Sequence, residues 1–425
     1  MIGGGRPLSG RLRVQGAKNA ALPMIAATLL AGDPCVLIDA PRLWDVSAMA
    51  EICVALGASV RWGAQDDGVR TLTIDAGGLS GREVDQEASG RIRSSALLLG
   101  ALVARQGFAR IPEPGGCEIG ARPIDLHLRG LEAMGATVRV ARGAVTVEAA
   151  RLEGAEIHLD LPSVGATENL MLAATAARGR TILGNAAREP EIVALQSLLC
   201  RMGARVRGAG TSRVVIDGGH PLSGASQTVI PDRIEAGTWL LAAAVTGGRI
   251  TVDNTVPEHL AALDAKLEQA GYNPSRDQDT LTLVGEIRPR ATHVITLPYP
   301  GFPTDLQNPF MALMALSQGT AVITETIFSD RFRIVGDLAR MGAQITVYGR
   351  VALVNGVAAL RGAAVTAGRD LRGAAALLLA ALAADGESSI RGAEVLHRGY
   401  SDFVDRLRSL GATIEVRTED PSRSG

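Results

Sequence analysis

Cys117 sits in the middle of a glycine-rich loop, EPGGCEIGARPIDL from Glu113 to Leu126, with Arg122 close behind it. A free thiol titrates at about 8.5, and a neighbouring cation lowers that value. Gly115, Gly116 and Gly120 make the loop pliable, and Pro114 and Pro123 bound it. The pattern suggests a reactive or proton-donating thiol on a lid. Cys35, Cys53 and Cys200 lie instead in apolar runs and read as small buried hydrophobes. Asp305 is the second candidate. It lies in PYPGFPTDLQ, a stiff turn entering a helix, where a carboxylate either caps the helix or serves as a general base; spacing alone favours the cap.

Cations form the third group. Six apolar helices are predicted, and their N-terminal ends read Lys18-Asn19, Arg93-Ser94-Ser95, Ser163-Val164-Gly165, Asp232-Arg233 with Glu235, Thr304-Asp305, and Asp370-Leu371-Arg372. Helix starts leave free N–H groups and a partial positive charge, which suits phosphate and carboxylate. Taken singly, Ser94, Thr304 and Asp370 are ordinary caps. Lys18, Arg93 and Arg372 oppose the helix dipole and need a negative partner, which a bound anion would supply. Only Lys18 and Lys266 are lysines among 43 basic residues, and a compact ammonium at a helix start fits phosphate.

The elements that place these residues repeat six times. The motif Leu/Met-Gly-Ala-x-Val/Ile recurs with glycines at 57, 135, 203, 271 (degenerate), 342 and 411. Each glycine reads as a helix C-terminal cap before a strand. Each repeat also has an Ala/Leu-rich helix, a glycine and a short strand, as in GFARI, GRTIL and GRITV. The spacing of about 70 residues is too long for the usual solenoids. It predicts an α/β fold of two three-repeat domains, their alanine-rich helices buried because they lack a polar face. The break is expected near Val229–Pro231, giving 18–229 as one domain, carrying the Cys117 loop, and 1–17 with 230–425 as the other. A strand at Leu12–Gln15 has no place in the repeat order and is expected to pair with the C-terminal half.

Bulk properties remove whole classes of function. With 425 residues the chain exceeds one ordinary core. Net charge −1 and 3% aromatics give no field or stacking platform for nucleic acid. Basic residues before the apolar run 20–31 imitate a signal peptide, but that run is the helix of repeat one and is too short to span a bilayer. Four scattered cysteines without a CxxC pair fit a reducing cytoplasm, and six histidines show no metal-ligand spacing. No cofactor, metal, nucleic acid or membrane is expected.

Long motifs now carry a resemblance: GAKNAALP (16–23), PGGCEIGARPIDLH (114–127), SVGATENLMLAA (163–174), NAAREPEI (185–192), PDRIEAGT (231–238), PYPGFPTDLQ (298–307), ITETIFSDRF (323–332), DLR (370–372) and RGY (398–400). Over nearly its whole length the chain resembles the UDP-N-acetylglucosamine 1-carboxyvinyltransferases, a branch of the enolpyruvyl transferase superfamily. The resemblance implies two inside-out α/β barrel domains with the active site in the cleft between them. It implies transfer of the enolpyruvyl unit of phosphoenolpyruvate to the sugar 3-hydroxyl, the first committed step of peptidoglycan synthesis.

By position, Cys117 matches the catalytic acid and fosfomycin target, and Asp305 the base. Lys18, Arg122 and Arg398 match the phosphate cluster, with Asn19 beside Lys18, and Arg372 matches a carboxylate-binding position. Asn19, Arg93, Arg122, Pro123, Ile124, Asp125, Leu126, Ser163, Val164, Gly165, Asp305 and Ile327 match the nucleotide-sugar site. Two segments depart from the pattern. Trp44 stands where the family often has a basic residue, and Glu394 and His397 precede Arg398 in an unusual form. These departures leave two rivals, an enolpyruvyl transferase acting on another nucleotide such as UMP, and a non-catalytic UDP-sugar sensor.

Overall fold

In the computed structural model, which describes residues 1–65, 69–115, 119–120 and 123–417, the apolar run after Lys18 forms helix α1 (Lys18–Thr28), with Ala20 through Thr28 all buried. Helix α2 (Trp44–Ala55) completes the first repeat. The second repeat has a short helix α3 (Gln86–Arg91), a 3-10 turn (Arg93–Leu97) running into α4 (Leu98–Gln106), and α5 (Asp125–Ala133). The third has α6 (Val164–Ala176) and α7 (Pro190–Arg201), and the fourth α8 (Arg233–Thr246) and α9 (Ala261–Ala270). The fifth has α10 (Gln307–Met314) and α11 (Val335–Arg340), the sixth α12 (Leu371–Ala383) and α13 (Phe403–Ser409). All six motif glycines have positive φ, including Gly271 of the degenerate copy at 103°. That backbone suits glycine and closes each helix.

The described residues fall into two compact units. One runs from Gln15 to Asp232; the other combines Met1–Val14, residues 119 and 120, and everything from Arg233 onward. In the first, α1, α4 and α6 pack on one another; in the second, α8, α10 and α12 do. Helix α12 is buried from Leu371 to Leu382, as a helix apolar on every side must be. Each of its leucines contributes about 2 kcal/mol by leaving water.

Each repeat covers its buried helix with a small sheet. In the first, Cys35–Ile38 pairs antiparallel with Arg70–Asp75, which pairs with Ser59–Ala64. A parallel strand usually completes the sheet, and at two places it comes from far along the chain. Ser226–Thr228 runs beside Cys35–Ile38, and Ser9–Arg13 beside Arg249–Asp253. The N-terminal strand therefore does join the C-terminal half, but it lies at Ser9–Arg13, earlier than expected from Leu12–Gln15. Its hydrogen bonding to the Arg249–Asp253 strand ends once Val14 N–H has met the Asp253 carbonyl.

The unit boundaries also differ from the expected 18 and 230. Ala17 N–H donates to the Ile230 carbonyl, Asp232 N–H donates to the Gln15 carbonyl, and Gly16 bridges Pro231. This short pairing keeps residues 15–17 and 230–232 in the unit that contains α1. Ile119 and Gly120 were expected with the first domain but group with the other, where Asp330 N–H donates to the Ile119 carbonyl at 3.2 Å.

Candidate active site

In the C-terminal unit four charged side chains alternate in sign. Asp370 caps α12, its Oδ1 accepting the Arg372 N–H at 3.0 Å. Its other oxygen accepts Asn308 Nδ2 at 3.1 Å, and Arg331 Nη1 lies 3.5 Å from Oδ1. Arg331 Nη2 reaches Asp305 Oδ1 at 2.7 Å, and Arg372 Nη2 reaches Asp305 Oδ2 at 3.0 Å. Both guanidinium side chains are 3% exposed, whereas Asp305 is 25% exposed. Buried charges persist only when paired, and here the alternation Asp370–Arg331–Asp305–Arg372 pairs them. Asp305 is the member with most access to an incoming hydroxyl.

Aromatic rings back the two arginines. Arg331 lies 5.0 Å from the Phe328 ring centre and Arg372 5.3 Å from that of Tyr400. Tyr400 shares a 3.0 Å hydrogen bond with Thr238 and stacks on Phe403. Arg398 ends a 3-10 helix (Ala393–Arg398), and Gly399 brings that segment onto the start of α12. A Cβ at 399 would stand 2.6 Å from Leu371 Cδ2 and 3.4 Å from Arg372 Nη1.

The cap expected at Thr304 and Asp305 is not made. The turn Thr304–Leu306 has Pro303 at its N-cap and no side-chain cap. Asp305 instead faces the two arginines, and Thr304 Oγ1 donates to Glu325 Oε2 at 2.8 Å. Glu325, 1% exposed, accepts the N–H groups of Ile327 and Phe328 on its other oxygen at 2.8 and 3.0 Å. One carboxylate thus ties the Asp305 turn to the loop carrying Ile327, whose side chain stays 38% exposed.

In the N-terminal unit Lys18 opens α1, and its Nζ lies 3.2 Å from Asp45 Oδ2. The negative partner that a cation at a helix start requires is therefore already supplied within the chain by α2. The same holds for Arg372 and Asp305, so anion binding is not needed to explain either cation. Asn19 is half-buried beside Lys18. Arg93 Nη1 donates to the Pro114 carbonyl at 3.1 Å, joining the start of the α4 segment to the glycine-rich loop. Ser163 caps α6, accepting the Ala166 N–H at 3.3 Å, with half-buried Val164 and Gly165 after it. Ser94 makes no cap: Ile92 holds that position without a side-chain bond, and Ser94 Oγ is buried with no hydrogen-bond partner among the described residues. Pro123 is exposed, and Ile124, Asp125 and Leu126 are half-buried at the start of α5.

His127 follows them and is buried; burial first, then the Arg93 charge, push it down to about 4 against the opposing pull of Asp125. Glu168 in α6 is pushed well above the usual carboxylate range by burial, with Glu191 and Glu189 adding to the effect.

Cys117 and Arg122 lie outside the described residues. Of the expected phosphate cluster, Lys18 belongs to one unit and Arg398 to the other. Cys35 and Cys53 are buried, and burial pushes the Cys53 thiol up to about 12. Cys200 is exposed, contrary to expectation. It lies in the last turn of α7, off the face that buries Leu195, Leu198 and Leu199. Among the described residues no helix is long and apolar enough to cross a membrane, and no group of three His, Cys, Asp or Glu could hold a metal.

Arg331, Glu325 and Asp45 were not anticipated. Arg331 and Glu325 lie within ITETIFSDRF, and Asp45 adjoins the unusual Trp44, which is 50% exposed at the start of α2. No local signal singled out Arg331, which stands between Asp330 and Arg333 in a mixed polar segment, and its two acidic partners, Asp305 and Asp370, come from other elements.

A protein-family model for EPSP synthase (3-phosphoshikimate 1-carboxyvinyltransferase) matches residues 2–407. UDP-N-acetylglucosamine 1-carboxyvinyltransferase 1 of Symbiobacterium thermophilum is 51% identical, over 97% of this chain and 94% of that protein. The chain belongs to the UDP-N-acetylglucosamine 1-carboxyvinyltransferase family. A carboxyvinyltransferase of Halothermothrix orenii is 47% identical over 97% of this chain and 98% of its own. The enolpyruvyl transferase NikO of Streptomyces tendae superposes on this carboxyvinyltransferase-family chain with a TM-score of 0.87 at 29% identity, covering 97% of each. EPSP synthase of Acinetobacter baumannii reaches 0.75 at 20% identity over 98% of this chain and 99% of its own, a likeness of fold. The six repeats predict two α/β domains and the resemblance implies the enolpyruvyl transferase fold; the two-domain α/β enolpyruvyl transferase fold is the fold of this family.

Proposed function

We propose that the chain transfers the enolpyruvyl group of phosphoenolpyruvate to the 3-hydroxyl of UDP-N-acetylglucosamine, with release of phosphate, as the first committed step of peptidoglycan synthesis in the cytoplasm. The observation that carries this reading is Asp305. It is held by Arg331 and Arg372 in a chain whose curated relatives bear that activity in their names along nearly its full length. Asp305 accepts the hydroxyl proton as the sugar oxygen attacks C2 of phosphoenolpyruvate, and Cys117 delivers a proton to C3. The tetrahedral ketal then expels phosphate and loses a C3 proton, which restores the enol ether. Arg372 takes the substrate carboxylate, and Lys18, Arg122 and Arg398 take the phosphate, where negative charge grows in the transition state. Asn19, Arg93, residues 122–126, Ser163, Val164, Gly165 and Ile327 hold the nucleotide sugar.

Phosphate release from phosphoenolpyruvate, measured with UDP-N-acetylglucosamine, UMP, shikimate 3-phosphate or no acceptor, tests the proposal. Release only with the UDP-sugar is expected. Release with UMP instead would reassign the acceptor, and silence with all four, despite UDP-sugar binding, would make the chain a sensor.

A further inference from the structure

Three of the helix starts just assigned to the nucleotide sugar belong to neighbouring helices of one unit. Arg93 begins the 3-10 turn that runs into α4, residues 123–126 lead into α5, and Ser163, Val164 and Gly165 begin α6. A pocket built from three helix starts holds its shape only if the helices are fixed in register with one another, since a displacement of about 1 Å is costly to function. One side chain touches all three helices. Asn169 of α6 is fully buried; its Oδ1 accepts the Gly100 N–H of α4 at 2.6 Å, and its Nδ2 lies 2.9 Å from His127 Nδ1 of α5.

The chemistry of the pair fixes their roles. The amide nitrogen can only donate, so Nδ1 accepts and the imidazole proton resides on Nε2. The low pKa of His127, about 4 and caused chiefly by burial, keeps Nδ1 free of a proton throughout the neutral range. The other edge of the ring faces the start of α6, where a Cβ at Gly165 would stand 3.2 Å from Cε1 and 3.3 Å from Nε2. Close packing repeats the arrangement on both sides of α6. A Cβ at Gly100 would stand 2.2 Å from the Asn169 carbonyl oxygen, and one at Gly130 of α5 would stand 2.4 Å from Leu170 Cδ1.

We propose that the Asn169–His127 pair is the positioning device of the nucleotide-sugar pocket, setting the α4, α5 and α6 starts in mutual register without touching the ligand. The inference rests on the proposed function, because the pocket is the one that function assigns. Loss of the His127 acceptor weakens binding of the UDP-sugar more than that of phosphoenolpyruvate, because of the residues assigned to phosphoenolpyruvate only Arg122 adjoins these three helix starts, while Lys18, Arg372 and Arg398 lie on other elements.

The test measures the UDP-N-acetylglucosamine dissociation constant by calorimetry, the KM of each substrate, and Tm, for the native protein, His127→Leu and His127→Asn. Asparagine retains an acceptor near the Nδ1 position. His127→Leu is expected to raise the UDP-sugar dissociation constant about tenfold, the worth of one buried hydrogen bond, with the KM for phosphoenolpyruvate changed less than about twofold. His127→Asn is expected to recover most of the loss. Equal UDP-sugar affinity in His127→Leu and the native protein would overturn the positioning role alone. So would an equal rise in both KM values, or a His127→Asn variant that folds yet binds as weakly as His127→Leu. Should His127→Leu not fold, His127→Asn decides alone, a tenfold loss with unchanged Tm counting against the role. Failure of the native protein to bind the UDP-sugar would instead overturn the proposed function, and the inference with it.

Discussion

Asp305 shows how one residue's role depends on partners distant in sequence. Two guanidinium groups hold and orient its carboxylate, which stays 25% exposed to an incoming hydroxyl. Asp305→Asn keeps the shape and removes the proton acceptor, so kcat should fall about 10²- to 10⁴-fold while UDP-sugar affinity stays within about tenfold; steady-state kinetics and calorimetry check both. Arg331→Met leaves Asp305 and Asp370 short of a buried partner and should cost about 3–5 kcal/mol of stability, read by urea denaturation. Cys117→Asp should retain turnover and escape inactivation by fosfomycin, because a carboxylic acid can also deliver a proton; covalent modification of that variant, seen by mass spectrometry, would place the drug target elsewhere.

Glu168 makes a prediction of pH dependence. Its folded pKa is raised by burial, so the folded chain keeps a proton that the unfolded chain sheds near the ordinary carboxylate value of about 4.3. Stability should therefore fall as pH rises from there toward the raised value, and level off above it. Glu168→Gln should remove that component, raising Tm at pH 8 and changing it little at pH 4. A native-like slope in the variant would mean that other groups set the pH dependence.

At the scale of the element, the buried helices follow from composition. Helix α12 is all alanine, leucine and glycine after Arg372, with no polar stripe to face water, so it can only be interior. Leu377→Ala, at a fully buried site, should cost about 2–5 kcal/mol, visible as a lower urea midpoint. The cap expected at Asp370 forms, even though the same carboxylate also meets Asn308 and Arg331. Caps were misread at Ser94, Thr304 and Asp305. The latter two are drawn to Glu325 and to the two arginines, whose approach no local pattern announces.

For the whole molecule, the strand at Ser9–Arg13 stabilises a unit far from it in sequence. Deleting residues 1–13 exposes the edge of Arg249–Asp253 and also removes Ile2–Gly3, which lies between the strands Glu387–Arg391 and Thr413–Ile414. Hydrogen exchange should quicken in those strands and not in Cys35–Ile38. A uniform increase would mean that the two units do not unfold separately.

The sequence by itself determined the six repeats, the buried helices, the glycine caps and the family. All are periodic or contiguous, because backbone geometry and burial act over a few residues. Only the tertiary structure decided that Lys18 meets Asp45, that Arg331 links Asp305 to Asp370, and that Asn169 joins three helices. Each of these is a buried charge or amide whose partner lies tens of residues away. A buried polar group must be satisfied, but which distant group satisfies it is fixed only when the helices pack.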